Sequence, residues 1–288
     1  MDLVAGLIDV FAEAVLTGNP LAVVEGADGL DNVTLRRIAR EFNQAETTFL
    51  MKSERADWRL RSFTASGAEV FGAGHNALGA WLWLAQDGQL GPLSTPKTFR
   101  QEIGEDILPI TLEARDGRIF GRMTQAPMRL HPPLADPPAL MQALDLTPDD
   151  LMHTPPPRAV DTGAAHLMVR LRDKAAVDRA EPPAAHLLKV LKNAGAEGCY
   201  VYAFDPVSAT AYARFFNPTM GLWEDSATGT AAGPLCAYLG SENLLSGKSL
   251  EVEQGARMGR PSLLRVTLTP EPELTGTGVM VLRGTLRI

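Results

Sequence analysis

Two stretches of this chain are apolar on every side of a helix: Ala77-Leu78-Gly79-Ala80-Trp81-Leu82-Trp83-Leu84-Ala85, and the run from Gly229 to Leu239. At 3.6 residues per turn neither has a polar face to offer to water, so each must be enclosed by protein. No run of 18 apolar residues occurs anywhere, so neither helix is read as a membrane span. A helix enclosed on all sides needs a wrapping layer, and the strand-like segments around both stretches supply one.

In the first half, 4–11 and 20–25 read as strands on either side of Thr17-Gly18-Asn19-Pro20. Leu35, Ile38, Ala39 and Phe42 recur at helical spacing after Asp31 and Asn32, either of which suits an N-cap, so the spacing predicts a helix over 33–42. Thr47–Met51 and Trp58–Phe63 are rich in β-formers, and 106–125 alternates like a hairpin turning at Asp116-Gly117. A proline-rich connector follows, from Pro127 to Pro155-Pro156-Pro157, with one short helix near 137–145. The plan then resumes: strands at 166–172, 199–204 and 209–216, a helix at 185–194, the second apolar helix, and strands at 249–253, 263–269 and 279–287. Offset by 155 residues, Gly74 falls on Gly229, Glu69 on Glu224, Trp83 on Tyr238 and Leu84 on Leu239. This reads as a repeated unit, a buried helix wrapped by bent sheet. The expected domains are 1–126, joined by the last strand at about 279–288, and 127–278, with a cleft between them.

Composition narrows what such a fold can act on. Lysine and arginine total 27 against 34 aspartates and glutamates, a formal charge of −7 without a basic stripe, which argues against nucleic acid. Asp2, Asp9 and Glu13 interrupt the apolar opening, which lacks a basic leader, so no signal peptide is read. The two cysteines, Cys199 and Cys236, lie in apolar contexts and read as buried thiols in a reducing cytoplasm. A cytoplasmic protein acting on a small molecule, or on another protein, is the expectation.

Gly72-Ala73-Gly74-His75-Asn76-Ala77 fits the dinucleotide pattern G-x-G-x-x-A, but only Glu69-Val70-Phe71 precedes it as strand. The acidic residue expected about 20 positions further on is also missing, which argues against a nicotinamide enzyme. The five histidines lack ligand spacing, so no metal is expected. What remains is physical. A helix that begins at glycine presents unpaired backbone N–H groups and a positive dipole end, a seat for a carboxylate. Gly74 and Gly229 begin two such helices. His75, at the first, is either an ordinary capping residue or a neutral ring held ready for one hydrogen bond. Asp225, ahead of the second, is equally a cap of the coming turn or a functional acid. Glu46, between helix and strand, is a site residue or simply solvated.

These stretches together resemble the PhzF family of phenazine biosynthesis, over nearly the whole chain. Ile8-Asp9-Val10-Phe11 with Thr17–Val24 is similar to its opening motif, and Ile38–Leu50 to its helix-to-strand signature. Gly74-His75 and Glu224-Asp225 with Ala227–Ala231 resemble its cleft motifs, and Glu253-Gln254-Gly255 with Met258–Ser262 its late one. The resemblance implies an α+β, diaminopimelate epimerase-like fold: two pseudo-equivalent domains, each a rolled, barrel-like sheet around a central helix. It implies a cofactor-independent isomerase of the trans-2,3-dihydro-3-hydroxyanthranilate type, and a homodimer. By resemblance Glu46 is the catalytic acid and base, assisted by His75 and Asp225. Gly229 and Thr230 seat the substrate carboxylate, and Gly74 and Asn76 line the site. The related epimerases place a thiol immediately before each glycine-led helix; Ala73 and Thr228 stand there in this chain, which leaves the proton work to one carboxylate. Where the family commonly has Ser, Ala-Thr and Pro, this chain has Ala45, Asn76-Ala77 and Ser226, and its pattern over Leu274–Gly278 is looser. A non-catalytic protein that kept the fold and a carboxylate pocket is the alternative.

Overall fold

The structure, a computed structural model, describes residues 1–220 and 222–288. The chain divides into two units, Met1–Thr124 with Thr275–Ile288, and Gln125–Leu274.

The first unit is a closed barrel. Its elements are β1 (Asp2–Val10), β2 (Asn19–Glu25), α1 (Asn32–Phe42), β3 (Glu46–Met51), β4 (Trp58–Phe63), the two-residue β5 (Glu69–Val70), α2 (His75–Gln86), β6 (Lys97–Ile103), β7 (Asp106–Arg115) and β8 (Arg118–Thr124). Strands β1 and β2 pair antiparallel, β2 and β3 parallel, β3 and β4 antiparallel, β4 and β6 parallel, and β6, β7 and β8 antiparallel in turn. A long final strand, Pro272–Arg287, pairs with both β8 and β1 and completes the circle of eight. Helix α2 runs inside, packed against β1, β2, β3, β4 and β8. Everything from Asn76 to Leu84 is buried, as its all-round apolarity requires. The two indoles pay no hydrogen-bond penalty there: Trp81 donates to Gln101 Oε1 at 3.0 Å and Trp83 to Glu25 Oε1 at 2.7 Å. Helix α1, by contrast, is amphipathic and lies outside, burying Leu35, Ile38 and Ala39. Asp31 is its N-cap, accepting from the Thr34 amide at 2.7 Å. The hairpin turns where expected, with Asp116 and Gly117 both at positive φ.

The second unit contains β9 (Arg129–Pro133), α3 (Pro137–Ala143), β10 (Arg158–Asp161), β11 (Ala165–Arg170), α4 (Lys174–Arg179), α5 (Ala184–Ala194), β12 (Gly198–Asp205), β13 (Thr210–Asn217), β14 (Leu222–Asp225), α6 (Gly229–Ser241), β15 (Ser249–Gln254) and β16 (Ser262–Leu268); the final strand is β17. Its pairing repeats the first unit's: β10–β11 antiparallel, β11–β12 parallel, β12–β13 antiparallel, β13–β15 parallel, β15–β16 antiparallel, with β14 hydrogen-bonded onto β13 as β5 is onto β4. Thus β10 corresponds to β1, β12 to β3, β13 to β4 and α6 to α2. The correspondence extends to side chains. Arg61 on β4 clasps Glu69 on β5 through two bonds of 2.7 Å, and Arg214 on β13 clasps Glu224 on β14 through two of 2.9 Å. Each fork pins the short strand that leads into a buried helix.

The structure departs from the sequence reading in several places, α4 and β14 being elements that it did not predict. The proline-rich stretch is more than a connector, since β9 lies in it and pairs with β10, which begins directly after it. Strand β6 was not expected. The last strand begins at Pro272, seven residues before the predicted 279, because Gly276 and Gly278 are strand positions rather than turn residues. A Cβ at Gly276 would lie 2.5 Å from the Phe11 ring and 2.8 Å from Leu78, so the absent side chain is what lets the strand pass over α2.

Candidate active site

In the first unit, Glu46 opens β3 opposite Leu21 of β2, and His75 is the first residue of α2. Both side chains are largely enclosed, at 18% and 10% exposure, and His75 Nδ1 lies 3.6 Å from Glu46 Oε2. That distance is too long for a hydrogen bond. Nor is the contact an ion pair at neutral pH, because burial pushes the His75 imidazole down to about 4. A carboxylate thus faces a neutral ring. The other ring nitrogen, Nε2, is buried and has no hydrogen-bond partner among the described residues.

What holds this pair is a buried polar knot. The Thr48 and Ser62 hydroxyls are 2.9 Å apart, and Asn76 Nδ2 donates to Ser62 Oγ at 3.1 Å and to the Gly72 carbonyl at 2.9 Å. Asn76 Oδ1 accepts the Gly74 amide at 2.7 Å. The knot ties β3, which carries Glu46, to the start of α2, which carries His75. Asn76, expected to line the site, is 2% exposed and both its amide hydrogens are taken by the protein. Its part is to shape the Gly72–Gly74 loop. Gly74 is the N-cap of α2 and supplies no side-chain cap.

In the second unit, Asp225 closes β14, and Gly229 and Thr230 open α6. Asp225 Oδ2 accepts the Thr228 hydroxyl at 2.6 Å. This matters for the helix. Thr228 is the N-cap residue, yet its hydroxyl is turned to Asp225 and does not cap. Helices α1, α3 and α4 are all capped by aspartates, at Asp31, Asp136 and Asp173. The amides of Gly229 and Thr230, which have no acceptor within the helix, therefore keep their capacity for an anion.

Gln254 organises this loop, a role its place in the late motif did not reveal. It is fully buried. Its Oε1 accepts from Tyr200 Oη at 2.9 Å and the Thr228 amide at 3.2 Å, and its Nε2 donates to the Asp225 carbonyl at 2.8 Å and Thr228 Oγ1 at 3.0 Å. The next residue, Gly255, has φ +77° and a Cβ there would meet the Ser226 carbonyl at 2.5 Å, so only glycine lets β15 end against the loop.

Neither cysteine takes part. Both are buried, with thiols pushed far up for Cys199 and up to about 12 for Cys236, too high to yield a thiolate. Among the described residues no group of three His, Cys, Asp or Glu is arranged to hold a metal, and no helix is long and apolar enough to cross a membrane. The strand before Gly72 has only two residues and lies antiparallel on β4, unlike a dinucleotide-binding turn.

A family model described as phenazine biosynthesis-like protein, PhzC-PhzF, matches residues 8–284. The chain belongs to the PhzF family. This PhzF-family chain is similar to trans-2,3-dihydro-3-hydroxyanthranilate isomerase of Pseudomonas chlororaphis, 31% identical over 288 residues, covering 97% of this chain and 98% of that one. It is 32% identical over 286 residues to Escherichia coli YddE, described as an uncharacterized isomerase, covering 95% of each. Among solved structures, the PhzF-family phenazine biosynthesis protein of Bacillus anthracis aligns over 100% of both chains with a TM-score of 0.89 and 27% identity. The fold is the α+β, diaminopimelate epimerase-like one, with its closed eight-strand barrel.

Proposed function

We propose that this PhzF-family protein is an isomerase that moves a proton between carbons of a small, carboxylate-bearing cyclic or amino-acid-like compound, with Glu46 as the single acid and base and no cofactor. The observation that carries the reading is the Glu46–His75 arrangement: a largely enclosed carboxylate beside a neutral imidazole whose buried Nε2 has no partner among the described residues. A carboxylate in such a setting can take a proton from an activated carbon and return it elsewhere on the same conjugated system. With Nδ1 turned to Glu46, the N–H belongs on that nitrogen, where it faces negative charge. Nε2 then carries the lone pair and accepts from a substrate hydroxyl or amine. The second unit supplies the anion-binding elements, the uncapped amides of Gly229 and Thr230, with Asp225 beside them as a partner for an amine or hydroxyl. The Pseudomonas chlororaphis relative is named for trans-2,3-dihydro-3-hydroxyanthranilate, which makes that compound the first candidate substrate to test.

The experiment is proton exchange in deuterium oxide with that compound. The wild type is expected to isomerise it and exchange one carbon-bound proton. Glu46→Gln should lose at least about 100-fold in exchange, the usual scale of general acid–base catalysis, while still binding the aromatic analogue 2-aminobenzoate. Exchange that persists in Glu46→Gln would sink the assignment of Glu46. A wild type that binds carboxylates without exchanging any carbon-bound proton would favour the non-catalytic reading.

A further inference from the structure

His166 lies on β11 and takes no part in the assignments above. It is 2% exposed, and its Nε2 is 3.1 Å from the hydroxyl of Thr230, in the first turn of α6. Its other nitrogen, Nδ1, is buried with no partner among the described residues. The ring is held from the side: Phe215 meets it edge-on, with centroids 4.9 Å apart and planes at 81°. Phe215 reaches that position because the residue in register with His166 on the neighbouring strand is Gly198, where a Cβ would lie 2.3 Å from the Phe215 ring.

These contacts decide the direction of the hydrogen bond. A neutral imidazole has one N–H and one lone pair. If Nδ1 held the proton, a donor would be buried with nothing to accept it, at a cost of about 1–3 kcal/mol. A lone pair left idle there costs less, since a single bare acceptor is the lesser fault. The proton therefore belongs on Nε2, which donates to Thr230 Oγ1. Burial keeps the ring neutral, pulling it down to about 4 against a smaller upward pull from Asp161. Thr230 has no other side-chain partner among the described residues.

We propose that His166 is a positioning residue: by donating to Thr230 Oγ1 it commits that oxygen as an acceptor and leaves the hydroxyl proton to be given to the substrate carboxylate at the start of α6. The inference rests on the reading of Gly229 and Thr230 as the carboxylate seat and deepens it. It turns the seat from two backbone amides into two amides and an oriented hydroxyl.

The test has two arms on the full-length protein. In the unliganded wild type, long-range proton–nitrogen NMR of His166 should show the Nε2–H tautomer; an Nδ1–H tautomer overturns the proposal whatever the enzyme does. Binding of 2-aminobenzoate and benzoate by calorimetry gives the second arm. Thr230→Val and His166→Phe should each weaken binding about tenfold, as expected for one hydrogen bond to a charged group, and the double variant should be no worse than either. His166→Gln, whose Nε2 can take the place of the imidazole Nε2, should restore affinity to within about threefold. Additive losses, or a His166→Phe variant that binds as the wild type does, overturn the proposal even if Glu46-dependent exchange is intact. A wild type that binds neither carboxylate overturns the seat, and this inference with it.

Discussion

Replacing Gln254 with glutamate changes one NH2 to oxygen and tests how the Asp225 loop is held. The amide orientation is fixed by its partners. The Thr228 amide can only donate, so it meets Oε1, and the Asp225 carbonyl can only accept, so it meets Nε2. Thr228 has already given its hydroxyl proton to Asp225 Oδ2, so towards Nε2 it too is an acceptor. In Gln254→Glu an ionised carboxylate would set an oxygen against two acceptors in a fully enclosed position. The same carboxyl group, protonated, has one donor for two acceptors and still loses a bond. Losing one bond to a buried acceptor costs about 1–3 kcal/mol, and keeping a buried carboxyl protonated at pH 7 costs about 1.4 kcal/mol per pH unit above its ordinary value near 4.3. The expected destabilisation at pH 7 is about 5–7 kcal/mol, about 3.8 for the retained proton plus about 1–3 for the lost bond, against the total of roughly 5–15 kcal/mol typical of a domain. Urea unfolding at pH 7 and pH 5 measures it. Because the folded variant holds a proton that its unfolded chain releases above pH 4.3, the gap to wild type should shrink as pH falls. A variant within about 0.5 kcal/mol of wild type at pH 7, or a gap that widens on acidification, would refute the reasoning.

Two further predictions concern charge. His75 and His166 are each lowered from 6.5 to about 4 by burial, so between those values the unfolded chain binds more protons than the folded one. Their contribution is intact above pH 6.5 and lost as pH falls toward 4, about 3 kcal/mol for each ring; urea midpoints at pH 7 and pH 4.5 should separate more for the wild type than for His166→Gln. Arg214 is 4% exposed and, besides its fork to Glu224, donates to the carbonyls of Val177, Asp178 and Ala180. Arg214→Met should therefore destabilise by about 3–5 kcal/mol, as expected when a buried ion pair loses one partner; Arg61→Met, at the more open equivalent fork, should cost less, and equal losses in thermal or urea unfolding would contradict the burial argument.

The parts of this fold legible in the sequence are those set by local chemistry. Asp31 before an amphipathic run, Asp116-Gly117 between alternating segments and two all-apolar helices each carry their meaning within a few residues. Strand β6 escaped because Gln101 and Glu102 are buried polar residues, so the run from Lys97 to Ile103 looks too hydrophilic for a barrel wall. Gln101 is there to accept from Trp81, a requirement set by a helix some twenty residues away. The site divides in the same way. Glu46 and His75 were marked by motifs, and the structure brings them to 3.6 Å. Gln254 was marked only as part of the late motif and His166 not at all, because the work of each is defined by groups on other elements: Tyr200, Asp225 and Thr228 for one, Thr230 and Phe215 for the other. A buried polar residue announces its function only when its neighbours are known.

The matching strand order of the two units has a consequence for how such a catalyst can vary. Were the halves identical subunits related by a twofold axis, any acid placed in one would appear in both, and like charges would face whatever bound them. Joined in one polypeptide, they are released from that symmetry. The first position of β3 is Glu46, and the first position of β12, its counterpart, is Gly198. One unit carries Glu46 at that position while the other carries a bare backbone that admits Phe215, and each can be altered by mutation without the other following.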